Sequence, residues 1–345
     1  MTAAMTTRSA LILTLLAALC TPMRVEAQSA GVFARMGFGA RGLALGNALV
    51  ADLMGEASPY YNPALAPFAT GQNIEASAAV LSLDRELQFL QFAAPIQPSA
   101  GIAAGLIHAG VTGIDGRDNT GYHTRDYATD EFAFFLAFGT RFSSRISAGA
   151  ALQLFRSDLI DELEPVNSLG LDVGLTFDVT DQIRLGLALD DLLARYSWDT
   201  SDLYGSAGSS TSDRFPVRLR AGGALLLLEG RLQLLAEYES RFSDMEYRVR
   251  IVQHQGAAPV ETDISRRATI HDGGLRIGAE YRLIDVLTVR SGLDRLGAVA
   301  SGTSPSAGFM IEQPVGPLGL RGEYAFVLEP HGTGAMHLIT LRIFL

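Results

Sequence analysis

The chain has 345 residues, of which 48% are apolar, with a net charge of -10 and one cysteine. The acidic balance argues against nucleic acid as a partner, because phosphates need a basic surface. A lone Cys20 excludes both a disulfide framework and a thiolate metal site.

The first 27 residues read as a secretory leader. Arg8 supplies a positive start, Leu11 to Leu19 a short apolar run, and Val25-Glu26-Ala27 a small-residue cleavage site. The mature chain is expected to begin at Gln28. The apolar run is too short to span a bilayer as a helix, and no later stretch is long and apolar enough either. Bulky Leu19 before Cys20 fits a lipoprotein site poorly.

Residues 28–71 do not alternate in polarity. They contain Gly39, Ala40, Arg41, Gly46, Ala48 and Asp52, then Tyr60-Tyr61-Asn62-Pro63-Ala64. Gly and Ala allow close backbone packing. Pro63 pushes Asn62 out of helical geometry and so favours a turn. The two tyrosines are amphipathic rings suited to lining a passage.

From residue 72 to 345 the pattern is period two. Leu169, Leu171, Val173, Leu175, Phe177 and Val179 alternate with Gly170, Asp172, Gly174, Thr176 and Asp178. Leu275, Ile277, Ala279, Tyr281 and Leu283 alternate with Arg276, Gly278, Glu280 and Arg282. Such alternation is β-strand. A charge-free face opposite a face of Gly and charge suits a wall between lipid and a lumen. Fourteen such segments begin near Gln72, Glu86, Ser99, Asp130, Arg145, Ser168, Ile183, Arg214, Arg231, Ile270, Leu287, Thr303, Pro317 and Ala335. Short connections alternate with longer ones, as periplasmic turns alternate with extracellular loops. The fold class is therefore all-β: a transmembrane antiparallel barrel with a small N-terminal plug. The longest excursion, Phe242–Thr269, has its own alternating run, Met245 to Ile251, and is expected to prolong a hairpin.

The inward charges can be paired by counting across tight turns. A three-residue turn at Ile284–Val286 sets Glu280 opposite Arg290 and Arg276 opposite Asp294. A turn at Glu229-Gly230 sets Arg220 opposite Glu239, and one at Thr180–Gln182 sets Asp178 opposite Arg184. A lumen crossed by neutralised pairs is filled or narrow, unlike a wide porin.

Other motifs weigh less. Gly37, Gly39 and Gly42 match a dinucleotide fingerprint but lack the preceding strand and the βαβ unit. No two of the six histidines have metal-ligand spacing. Asp115, Asp118, His123 and Asp126, like Asp161, Glu162 and Glu164, read as solvated loop groups. No nucleophile elbow marks an enzyme.

The Gly39-Ala40-Arg41, Gly46, Ala48, Asp52 and Asn62-Pro63-Ala64 pattern, with the final run from His337, resembles the FadL-like superfamily of outer-membrane barrels, and within it the PorV/PorQ branch. The resemblance implies a fourteen-stranded barrel in the bacterial outer membrane, embedded in its lipids, with an N-terminal hatch in the lumen. It implies a non-enzymatic protein without cofactors, whose partners are hydrophobic small molecules in transit or, alternatively, exported proteins of a type IX-like secretion system.

Overall fold

The structure is a computed structural model. It describes residues 30–345 apart from 55–56, 161, 256–257, 299–301, 316–317 and 331–332, and describes backbone alone at 245–255, 258–267, 315 and 318. The expected leader, Gln28, Asp161 and His331 lie outside what is described, as does the side chain of His254.

Alternating sequence becomes strand because each backbone donor then finds a partner on the neighbouring chain segment. The strands are β1 (Asn73–Val80), β2 (Arg85–Ile96), β3 (Ala100–Arg117), β4 (His123–Arg141), β5 (Ile146–Asp158), β6 (Val166–Thr180), β7 (Ile183–Leu192), β8 (Arg195–Asp199) and β9 (Ser210–Arg214). They continue as β10 (Val217–Leu227), β11 (Leu232–Gln255), β12 (Ala258–Ile284), β13 (Leu287–Leu296), β14 (Ser304–Val315), β15 (Leu318–Leu328) and β16 (Ala335–Phe344). Fourteen of them form a closed antiparallel barrel. It is sealed by β1 against β16, with Asn73 opposite Phe344 and Val80 opposite His337. β8 and β9 form a separate two-stranded sheet in the connection between β7 and β10.

In β4 the outward row is exposed and apolar: Phe134, Leu136 and Phe138 are 41%, 50% and 49% exposed. The inward Ala133, Phe135 and Ala137 are buried. The same division runs round the ring, with Leu90, Leu152, Leu175, Leu187 and Leu341 outside. Glu75, Arg220, Glu237, Arg276, Arg290 and Glu323 are inside and buried. Apolar side chains face outward and charges inward, the inverse of a soluble protein; hydrocarbon demands this, because it offers no partner for a charge.

One rim carries short turns, such as residues 181–182 and 285–286. At the other rim the expected loop Thr112–Thr129 is largely strand instead, and the Phe242–Thr269 excursion prolongs a hairpin as expected. β3 and β4 pair beyond the belt until Arg117 meets His123. β11 and β12 stay in register from Leu232 and Tyr281 out to Gln255 and Ala258. Beyond the bilayer the apolar row is not needed, yet the hydrogen-bond ladder continues.

Candidate functional site

The interior is built from residues 33–68 and the inward rows of the wall. This segment holds a 3-10 turn at Phe33–Arg35, a short helix α1 (Gly39–Ala44) and a second 3-10 turn at Pro63–Phe68. α1 contacts β13, β14, β15, β16 and β1, while Pro63–Phe68 contacts β2 through β6. The segment thus meets the wall on opposite sides of the ring.

Glycine makes that approach possible. Gly46, at φ +60, lies so near β13 that a Cβ would sit 2.7 Å from the Leu293 backbone. A Cβ at Gly278 would sit 2.6 Å from the Leu45 carbonyl oxygen, and one at Gly149, Gly186 or Gly292 would collide with segment backbone. The wall glycines on inward rows are seats. Their parity in the sequence is the signal that could have revealed them.

Polar groups join segment to wall. The Arg41 guanidinium lies 2.7 Å from Asp52 Oδ1 and 3.0 Å from Glu280 Oε2, all three buried. Asp52 also accepts from Gln233 Nε2 at 2.9 Å and from the Ala57 N–H at 3.1 Å. Arg184 donates to the Asp52 carbonyl at 2.7 Å, and the Val50 N–H donates to Glu237 at 3.0 Å. The Ala40 N–H donates to Thr340 at 2.9 Å. Asn62 caps the second 3-10 turn, its Oδ1 accepting from the Ala64 N–H at 3.0 Å, while its Nδ2 donates to the Val50 carbonyl at 2.7 Å. Pro63 at the first position of the turn has no N–H to satisfy. Tyr61 accepts from the Phe38 N–H and donates to Asn47 Oδ1, both at 2.8 Å. Tyr60 donates to the Ala34 carbonyl at 2.5 Å, and burial pushes its phenol up to about 12, so it stays a donor at neutral pH.

The ring register places Glu280 opposite Arg290, Arg220 opposite Glu239 and Asp178 opposite Arg184. A bulge between Leu275 and Ile277 takes Arg276 out of strict register, yet its Nε lies 2.8 Å from Asp294 Oδ1. The ion pairs also reach beyond these opposite partners. Arg290 is 3.6 Å from Glu280 but 2.6 Å from Glu323 on β15. Arg220 contacts Asp190 on β7 at 2.6 Å, and Glu239 is instead held by Arg276 at 2.8 Å and Arg241 at 2.5 Å. Arg184 keeps Asp178, at 2.5 Å. Buried charges persist only when paired, and here Arg276 and Arg290 are each shared among several strands.

Aromatic rings fill the remaining space in two groups. Midway, Phe38 lies 4.9 Å from Phe89, 5.5 Å from Tyr60 and 5.7 Å from Phe135, ring to ring. Nearer the long-loop rim, Phe215 stands 4.7 Å from Phe155 and 5.0 Å from Tyr196. The second group depends on the β8–β9 excursion and on Phe215, which period-two reading passes over.

Away from the lumen, Asp115, His123 and Asp126 converge at the exposed tip of β3 and β4. His123 Nδ1 is 2.7 Å from Asp115 Oδ1, so these groups already satisfy one another.

A closed barrel with an apolar exterior and an ion-paired interior is a transmembrane β-barrel. No protein-family model and no curated protein sequence matches the chain. Among solved structures, its fold is that of the toluene transporter TbuX of Ralstonia pickettii, with 17% identity, 89% of this chain and 97% of that chain covered, and a TM-score of 0.59. The toluene transporter TodX of Pseudomonas putida is similar at 16% identity, 89% and 96% coverage and a TM-score of 0.59. A FadL homologue of Pseudomonas aeruginosa matches at 13% identity, 89% and 98% coverage and a TM-score of 0.55. The fold is FadL-like.

Proposed function

We propose that this chain is a non-enzymatic channel of the bacterial outer membrane that passes hydrophobic small molecules, with residues 28–71 as its plug. The carrying observation is the pair of aromatic groups between segment and wall, around Phe215 and around Phe38. Both belong to one buried apolar cluster, which makes a seam beside the ion pairs of the lumen. An apolar solute can exchange contacts along such a seam without separating charge pairs. That two fold relatives are named as toluene transporters supports the same solute class here.

The finer assignment, to the PorV/PorQ branch, rests on Gly39, Ala40, Arg41, Gly46, Ala48, Asn62, Pro63 and Ala64. It brings a second reading, support of a type IX-like secretion system. The projecting β11–β12 ribbon favours that reading, since it offers a partner protein a long reach.

The test is uptake of a monoaromatic hydrocarbon into vesicles carrying the purified protein, beside a variant lacking residues 30–70. The intact protein should accelerate uptake over empty vesicles. The deletion should raise ionic conductance in planar bilayers, because the obstruction is gone. Uptake no faster than in empty vesicles, together with exported proteins co-purifying from native membranes, would establish the second reading instead.

A further inference from the structure

We infer that the solute leaves the lumen at the short-turn rim, through a cleft between the inner segment and the wall, and that the Ser58–Gln91 hydrogen bond is the latch that closes the way to it. The inference rests on the channel reading above. The cleft is lined by Pro59, Leu65 and Ala69 of the segment and by Ala93, Arg342 and Phe344 of the wall. Its place follows from the strand ends. Ala93 on β2 and Phe344 on β16 both lie opposite Asn73, the first residue of β1. The segment joins the barrel there, and the short turn of residues 97–99 follows β2. The lining is mainly apolar, and its one charged member, Arg342, is paired with Glu75 at 2.5 Å. An apolar solute therefore meets walls that it can wet without parting a lone charge from water.

The cleft lies in line with the aromatic group around Phe38. Leu87, Phe89, Gln91 and Ala93 form the buried inward row of β2. Phe89 belongs to the aromatic group, 4.9 Å from Phe38, and Ala93 belongs to the cleft. Gln91 stands between them. The segment repeats this order, because Tyr60 lies 5.5 Å from Phe38 while Pro59 lines the cleft. Ser58 Oγ donates to Gln91 Oε1 and accepts from the Tyr60 N–H at 3.2 Å. Both side chains are buried. The bond thus joins segment to wall where the aromatic group ends and the cleft begins.

The ties that hold the segment elsewhere include several with a charged partner. Arg41 reaches Glu280, Arg184 the Asp52 carbonyl and Arg220 the Tyr61 carbonyl, and the Val50 N–H donates to Glu237. Charge-assisted bonds are about twice as strong as neutral ones. Ser58 and Gln91 are both neutral, so their bond contributes little net. A modest shift of residues 57–60 breaks the latch, joins the aromatic group to the cleft and leaves the ionic ties in place.

The experiment follows uptake of a monoaromatic hydrocarbon into vesicles carrying the full chain, beside ionic conductance in planar bilayers. Gln91→Leu removes the wall half of the latch at nearly the same size and leaves Ser58 its bond from Tyr60. It should speed uptake by about two- to tenfold, the equilibrium weight of one neutral hydrogen bond. Conductance should not change, because the segment stays seated. Ser58→Ala should act alike and keeps the test open if Gln91→Leu folds poorly. Thr70, exposed where it lines the cleft, gives a second arm that does not depend on folding a disturbed interior. Thr70→Cys, folded first and then labelled with a bulky maleimide, should lose most of its uptake relative to the unaltered protein treated alike. Uptake that survives this label shows that the solute leaves by another way, and overturns the cleft. Unchanged uptake in both latch variants, or faster uptake together with higher conductance, overturns the latch. If the unaltered protein takes up no more hydrocarbon than empty vesicles do, the channel reading itself fails.

Discussion

Arg41 is the residue on which segment and wall most depend. It is buried between Asp52 of its own segment and Glu280 of β12. Replacing it with Met leaves two carboxylates without their shared cation, and stranding a buried charge costs about 3–5 kcal/mol. Arg41→Met should lower resistance to urea by that amount and expose the segment to protease, whereas Arg117→Met, in an exposed pair with Asp115, should change stability by no more than about 1 kcal/mol. Equal urea midpoints for the two variants would refute a structural role for Arg41. Which residues oppose one another across a turn was readable by counting until a bulge intervened, as it does at Arg276. Which charges touch was not. An arginine reaches past its opposite number, and the segment adds its own charges and carbonyls to the competition.

Among the elements, the strands and the β11–β12 ribbon were readable and the other excursions were not. Period two survives only where one row must be apolar. His123 to Thr129 has no such row, yet it extends β4 because β3 is there to pair with it. The β8–β9 sheet is short and polar along β9, so composition made it resemble a loop. The glycines of the wall were visible as an abundance, without their meaning; only the seated segment gives them one. Gly292 makes this testable, since a Cβ there collides with Leu45 and Gly46. Gly292→Leu should unseat the segment, raising conductance in planar bilayers and opening the Arg41 region to protease. Gly223 of β10 meets Leu185 Cδ2 at 3.4 Å, which a slight shift of that side chain relieves. Gly223→Ala should conduct like the unaltered protein, and matching conductance in both variants would sink the idea of seats.

For the whole molecule, closure and the apolar belt decide insertion. Val173 is 37% exposed on the outward row of β6, beside the inward and buried Asp172. Near the midplane, Val173→Arg should cost about 2–4 kcal/mol and slow folding into vesicles, measured by the appearance of the heat-modifiable form. An unchanged rate would mean that this row does not face lipid. The count of fourteen strands followed from the sequence because lipid enforces its pattern on every crossing. The packing of Phe and Tyr inside the barrel did not, because those rings come from distant parts of the chain.

The shared ion pairs have a mechanical consequence. Hydrogen-bond ladders alone let neighbouring strands slide, as the slats of a crate rack when only their ends are nailed. Arg290 reaching Glu323 on one side and Glu280 on the other, with Arg276 spanning Glu237, Glu239 and Asp294, adds braces across the slats. A braced cylinder resists both shear and torsion. Any movement inside the barrel therefore falls to the inner segment, shifting within a stiff casing, and what resists it is the set of bonds that joins that segment to the wall, those of Arg41, Asp52 and Asn62 among them.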